Sequence, residues 1–146
     1  NSEGIDVAKN QLFFVSKSLK SLFTLNLDND RYTRHTTVHG LMDGQPDQMQ
    51  KIFGDNTDSE DVIIYFTEDG SRYAGIHGRN AKGQYFTILE SREYSDETTG
   101  LSFSPDLKHM YMAYQDNGLL FDISRRDGQS FHAKTLNLKY HNIEAA

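Results

Sequence analysis

Aromatic and β-branched runs recur along this chain at a nearly constant interval, and that recurrence restricts its possible folds more than any other feature. Segments 12–36, 62–91 and 109–136 each read as strand, turn, strand, turn, strand. Turns are marked by Asn29-Asp30, Asp69-Gly70, Lys82-Gly83, Asn117-Gly118 and Asp127-Gly128, the dipeptides that favour tight reversals. Phe14, Phe66 and Met112 occupy matching places 52 and 46 residues apart. That period belongs to the blades of a β-propeller rather than to helical solenoids. No window sustains the i, i+3, i+4, i+7 pattern of a helix. Asp47–Phe53 holds helix-favouring residues, but seven positions are too few for an independent helix, and it reads as strand.

A fourth, innermost strand is expected before each meander, at 4–8, 47–53 and 99–105. The expected architecture is therefore all-β, with about three four-stranded antiparallel blades over 1–40, 41–92 and 93–146 in an incomplete ring. Acidic and amide residues introduce each inner strand: Glu3; Asp43, Gln45 and Asp47; Asp96 and Glu97. Glu3, Asp47 and Glu97 are spaced by 44 and 50 residues, which would set one carboxylate per blade at the same end of the inner strands. Gathered carboxylates repel unless a cation binds, so Asp47, Glu97, Asp96, Glu3 and Asp43 are candidate ligands for calcium, an oxygen-seeking ion. The alternative is that these acids only populate polar loops.

The strings "YFTEDGSRYAGIHGRNAKGQYFTILES" and "DETTGLSFSPDLKHMYMAYQDNGLLFDISRRDG" resemble the calcium-dependent PhoX-type alkaline phosphatase family of β-propellers. The likeness runs over roughly residues 40–131 and more loosely over the first blade. It implies an active centre of calcium ions with iron at the propeller mouth, held by carboxylates and one cysteine, with basic residues for phosphate. "DGQPDQ" is similar to part of one carboxylate motif of that family, which makes Asp47 a ligand candidate with Asp43 as its neighbour. The chain departs from the family pattern in three ways. It has no cysteine for iron, Gln45 stands near where a phosphate-binding cation is expected, and Leu107 replaces a turn glycine.

The absence of cysteine also removes zinc-thiolate sites, thiol nucleophiles and disulfides. A formal charge of −6 argues against nucleic acid or an anionic membrane surface as the main partner, and no apolar run is long enough for membrane insertion by a helix. The six histidines form no metal-binding pair of standard spacing and are expected at the surface or in loops. No G-x-S-x-G elbow is present. Arg72 and Arg79 flank one loop and are candidates for phosphate or anion binding, with solvated pairing to Glu68 and Asp69 as the alternative. Phe13, Phe14, Tyr65, Phe66, Phe86, Phe103, Tyr111 and Phe121 alternate with polar positions, as packing between blades requires.

Three blades do not close a propeller, whose smallest usual number is about four. A second chain, or self-association, is expected to complete the ring. Beginning at Asn1, the chain reads as a processed product or as part of something longer. Two functions follow. In one the chain is a non-catalytic, calcium-binding propeller module of a larger assembly. In the other it is half of a calcium-dependent phosphoesterase, active only when other blades complement it. Calcium use fits an extracellular, periplasmic or organelle-lumen setting.

Overall fold

A computed structural model describes residues 1–38, 41–52, 62–132 and 136–141. These residues form eleven strands and no helix. The first sheet takes β1 (Ser2–Ala8), β2 (Gln11–Ser16), β3 (Ser21–Asn26) and β4 (Arg31–Thr36) in that order. The second takes β5 (Gln45–Ile52), β6 (Ile63–Ser71), β7 (Gly75–Asn80), β8 (Tyr85–Glu90), β9 (Asp96–Phe103), β10 (His109–Tyr114) and β11 (Leu119–Ser124). Its order is β11-β10-β9-β6-β7-β8, with β5 on β6. Every pairing is antiparallel, and the sheets curl.

Three meanders of like register are visible within these sheets: β1–β4, β5–β8 and β9–β11. Phe14 pairs with Phe23, Phe66 with His77 and Met112 with Phe121, so the matching places read from the sequence are matching places in the ladders. Each meander also shifts register between its first two strands, at Ser2/Ile5, Pro46/Met49 and Tyr111/Ala113. An extra residue at such a point bends the strand and re-aims the side chains before it.

The units stack face to face around two cores. Phe13, Val15 and Leu22 of the first unit meet Met49, Ile64 and Phe66 of the second. On the second unit's other face, Tyr65, Ile76 and Phe86 meet Met110, Met112 and Tyr114 of the third. Successive side chains of a strand point to opposite faces, so Tyr65 and Phe66 serve different cores. That is why "VIIYF" is continuously apolar rather than alternating: β6 is covered on both sides. Aspartate and lysine staple the inner strands as well, Lys51 N and Nζ donating to the two oxygens of Asp6 at 3.1 and 2.5 Å.

Two expectations need correction. The inner strands begin earlier than expected, so that Glu3, Asp96 and Glu97 lie within β1 and β9 instead of before them, and Asp47 lies inside β5 instead of at its start; the backbone pairs Ser2 with Ser16, Gln45 with Asp69 and Glu97 with Asp69. The third unit has three strands among the described residues, not four. After β11 the chain turns inward: Phe131 is buried, its N donates to Leu107 O at 2.8 Å, and Tyr65 Oη donates to its carbonyl at 2.6 Å. Filling the core takes the place of pairing with β11.

Candidate functional site

One position recurs where the second strand of each meander ends: Lys17 after β2, Asp69 in β6 and Gln115 after β10. Their equivalence follows from the ladders. Lys17 N donates to Asn1 O and Gln115 N to Glu97 O, both at 3.0 Å, while Asp69 pairs with Gln45. Stacking of the units brings these ends together. Lys17 of the first unit forms an ion pair with Asp69 of the second, and its Nζ is 4.0 Å from Asp47 Oδ2. Asp47 of the second unit hydrogen-bonds Glu97 of the third. Gln115 Nε2 completes the group, donating to Glu97 Oε2 at 3.0 Å. Three carboxylates and one ammonium, drawn from all three units, thus meet at one end of the inner strands.

The charges do not balance, and the titration behaviour reflects it. Partial burial, the hydrogen bond to Asp47 and the negative charges of Asp69 and Asp47 push the Glu97 carboxyl up to about 7, against the opposing pull of Lys17. The hydrogen bond to Asp69 holds the Lys17 ammonium above the usual lysine range, with help from the charge of Asp47. Below about pH 7 a proton on Glu97 and the Lys17 ammonium therefore offset part of the negative charge. Loss of the proton leaves three carboxylates facing one ammonium.

The remaining candidate ligands fall outside this group. Glu3 is exposed on β1. By register it corresponds to Asp47, while Glu97 corresponds to Gln45 and Asn1, because the second and third inner strands are 52 residues apart and not 50. The spacing of 44 and 50 residues therefore marks equivalent places for Glu3 and Asp47 but not for Glu97. Asp43 and Asp96 both adjoin Ser71, whose hydroxyl donates to Asp43 Oδ1 at 2.9 Å and whose backbone pairs with Asp96. Both carboxylates are on exposed residues. Among the described residues no group of three or more His, Asp or Glu is placed so that it could hold a metal ion. The Lys17 ammonium is the counter-ion found beside Asp69 and Asp47. With no cysteine in the chain, the thiolate ligand expected for an iron centre is absent.

A second polar constellation lies behind the first, inside the stack. The Glu68 carboxylate is fully buried and accepts from Gly44 N at 2.7 Å, Gly75 N at 3.1 Å and the His77 ring at 2.9 Å. His77 Nδ1 continues to Thr87 Oγ1 at 3.0 Å, and that hydroxyl meets His141 Nε2 at 2.9 Å. His77 and His132 are thus core residues, contrary to the surface placement expected of the histidines. The stacking of a third unit on β7 closes over a residue that strand alternation alone leaves undecided.

The two arginines are not brought together. Arg72 lies in the turn before β7, its guanidinium 5.1 Å from the Tyr73 ring, and Arg79 lies at the far end of β7. Nor do they pair with Glu68 and Asp69, which are engaged by His77 and Lys17. Neither family models nor curated proteins nor solved structures yield a match to this chain.

Proposed function

We propose that this chain is a non-catalytic β-propeller segment of about three blades, which acts within a ring completed by a second copy of itself and takes calcium at the acidic ends of its inner strands. One observation carries the reading. Phe66 and Met112 are buried between units, whereas their counterpart Phe14 faces outward in an apolar row with Ile5, Phe23 and Tyr32. Ile5 is 63% exposed and Tyr32 66%. At the other end of the stack Tyr111 and Leu120, the latter 76% exposed, lie on the uncovered face of the third unit. Each face is of the kind already covered within the chain, so the open end of one copy suits the open start of another.

Calcium is supported by Asp47, Asp69 and Glu97, whose summed charge exceeds what Lys17 offsets. Sedimentation tests the assembly. A particle of two chains is expected, and Ile5→Glu is expected to shift it to single chains; a monodisperse monomer of the unaltered chain would overturn the proposal. Thermal unfolding at pH 8 tests the ion. Millimolar calcium should raise the midpoint and a chelator should reverse the gain, with Asp47→Asn losing the response; an unresponsive midpoint removes calcium from the reading. Phosphomonoester turnover in calcium that Asp47→Ala abolishes would replace the non-catalytic reading with the phosphoesterase one.

A further inference from the structure

At the opposite end of the same strands, between the first two units, lies a cleft of about 580 Å³. On β6 Ile64, which lines the cleft, and Asp69 in the acidic group are five positions apart, about 16 Å of extended chain. The two ends differ in chemistry. Lys9, Arg79 and His35 contribute to the cleft wall, and no carboxylate lines it among the described residues. Phe13, Val62, Ile64 and Ala8 supply an apolar floor, and the amides of Gln11 and Asn26 add hydrogen-bonding groups.

Arg79 is the informative residue. Its guanidinium carbon lies 5.9 Å from the Tyr85 ring centre, and the Tyr85 hydroxyl, which donates to Thr36 O at 2.9 Å, also contacts it. The guanidinium Nε, in contrast, is buried without a hydrogen-bond partner among the described residues. A buried charged donor without an acceptor is costly, and such groups are normally satisfied. An anion entering the cleft would meet the Arg79 guanidinium, whose parallel donors match the oxygens of a carboxylate or phosphate. His35, the other titratable group on the wall, is held below its usual range by burial and by the charge of Arg79. The cleft volume is that of a small-molecule site and exceeds what a bare oxyanion fills.

We propose that this cleft binds a small organic anion, a carboxylate or phosphate ester carried on an apolar body, with the charged group at the Arg79 guanidinium and the body against Phe13, Val62 and Ile64. The site is independent of the acidic group and of ring closure.

The test uses the 146-residue chain, with methyl and histidine resonances followed by NMR during addition of phenyl phosphate, benzoate, inorganic phosphate or benzyl alcohol. Phenyl phosphate or benzoate should saturate shifts at the Val62 and Ile64 methyls, and inorganic phosphate and benzyl alcohol should bind at least about tenfold more weakly. The tighter of the two aromatic anions identifies the headgroup. Saturation should raise the titration midpoint of His35, because the anion offsets the charge of Arg79. Arg79→Gln should weaken binding about tenfold or more. Unchanged Val62 and Ile64 methyls, equal binding of benzyl alcohol, or full affinity in Arg79→Gln would each overturn the proposal. Should Arg79→Gln fail to fold, the ligand series on the unaltered chain decides alone.

Discussion

Glu68 Oε2 and His77 Nε2 meet at 2.9 Å with neither side chain reaching solvent. The carboxylate also receives two backbone N–H groups, from Gly44 before β5 and Gly75 at the start of β7, and so ties three segments of the second unit together. A buried polar group of this kind stabilises only while every partner is present. Glu68→Ala removes the common acceptor and strands three donors, and is expected to lower stability by about 3 kcal/mol in urea unfolding. His77→Ala leaves the carboxylate its two backbone donors and is expected to cost less. An equal or larger loss in His77→Ala would show that the ring, and not the carboxylate, is the centre of the network.

Glu97 sets a pH dependence of opposite sign to that of most carboxylates. Its folded-state value of about 7 lies above the ordinary glutamate value, so the folded chain retains a proton that the unfolded chain releases. Stability from this group is present below the ordinary glutamate range, falls as pH rises toward 7, and is lost above it. Glu97→Gln keeps a neutral hydrogen-bonding group in place and should abolish that fall, leaving the variant more stable than the parent at pH 8 and close to it at pH 4. Melting temperatures across pH 4–8, measured without added calcium, check this. Parallel curves for the two proteins would contradict it.

At Gly4 the first unit approaches the backbone of the second closely. A Cβ there would lie 2.5 Å from Met49 N and 2.9 Å from Asp47 O, both backbone atoms that cannot swing aside. Gly4→Ala should therefore push β1 away from β5 and destabilise by about 1–3 kcal/mol, the range for overpacking. Amide exchange should quicken in β1 and β5 more than in β10. Uniform quickening would point to a different origin.

Leu107 adopts φ of 58°, the left-handed region that costs a non-glycine residue about 1–2 kcal/mol. Its side chain packs against the core beside Phe131, and its carbonyl receives Phe131 N. Leu107→Ala and Leu107→Gly both lose the packing, but only glycine relieves the backbone. The glycine variant should thus be the more stable of the two by about 1 kcal/mol in denaturant unfolding. Equal stability would mean that the backbone relaxes in both.

Repetition was legible because it is written in residue type and spacing: Phe14, Phe66 and Met112 are flagged by their turns, and the ladders place them opposite Phe23, His77 and Phe121. Asp47 and Glu97 were legible as acids near inner strands, but not as a contacting pair, because they lie on different units and at places that are not equivalent in register. Lys17 and Asp69 look like turn residues until units are stacked. The register equivalence of Lys17, Asp69 and Gln115, at the same 52- and 46-residue intervals as the aromatics, is the signal that would have exposed them. Glu68 and His77 lie nine residues apart, a separation that carries meaning only once the β6–β7 hairpin register is known. Arg79 and Arg72 seemed paired by proximity in sequence, yet an extended strand carries them to opposite ends.

Adjacent residues Tyr65 and Phe66 belong to separate cores, one shared with the third unit and one with the first. For a chain emerging from the ribosome this imposes a schedule. The first meander can form its ladders early, but the apolar side it turns toward β5 and β6 stays wet until those strands have been made. The middle meander is in turn half uncovered until Met110, Met112 and Tyr114 arrive. Solvent-exposed intermediates are therefore built into synthesis of this protein, and their lifetime depends on the pace of translation through residues 62–114.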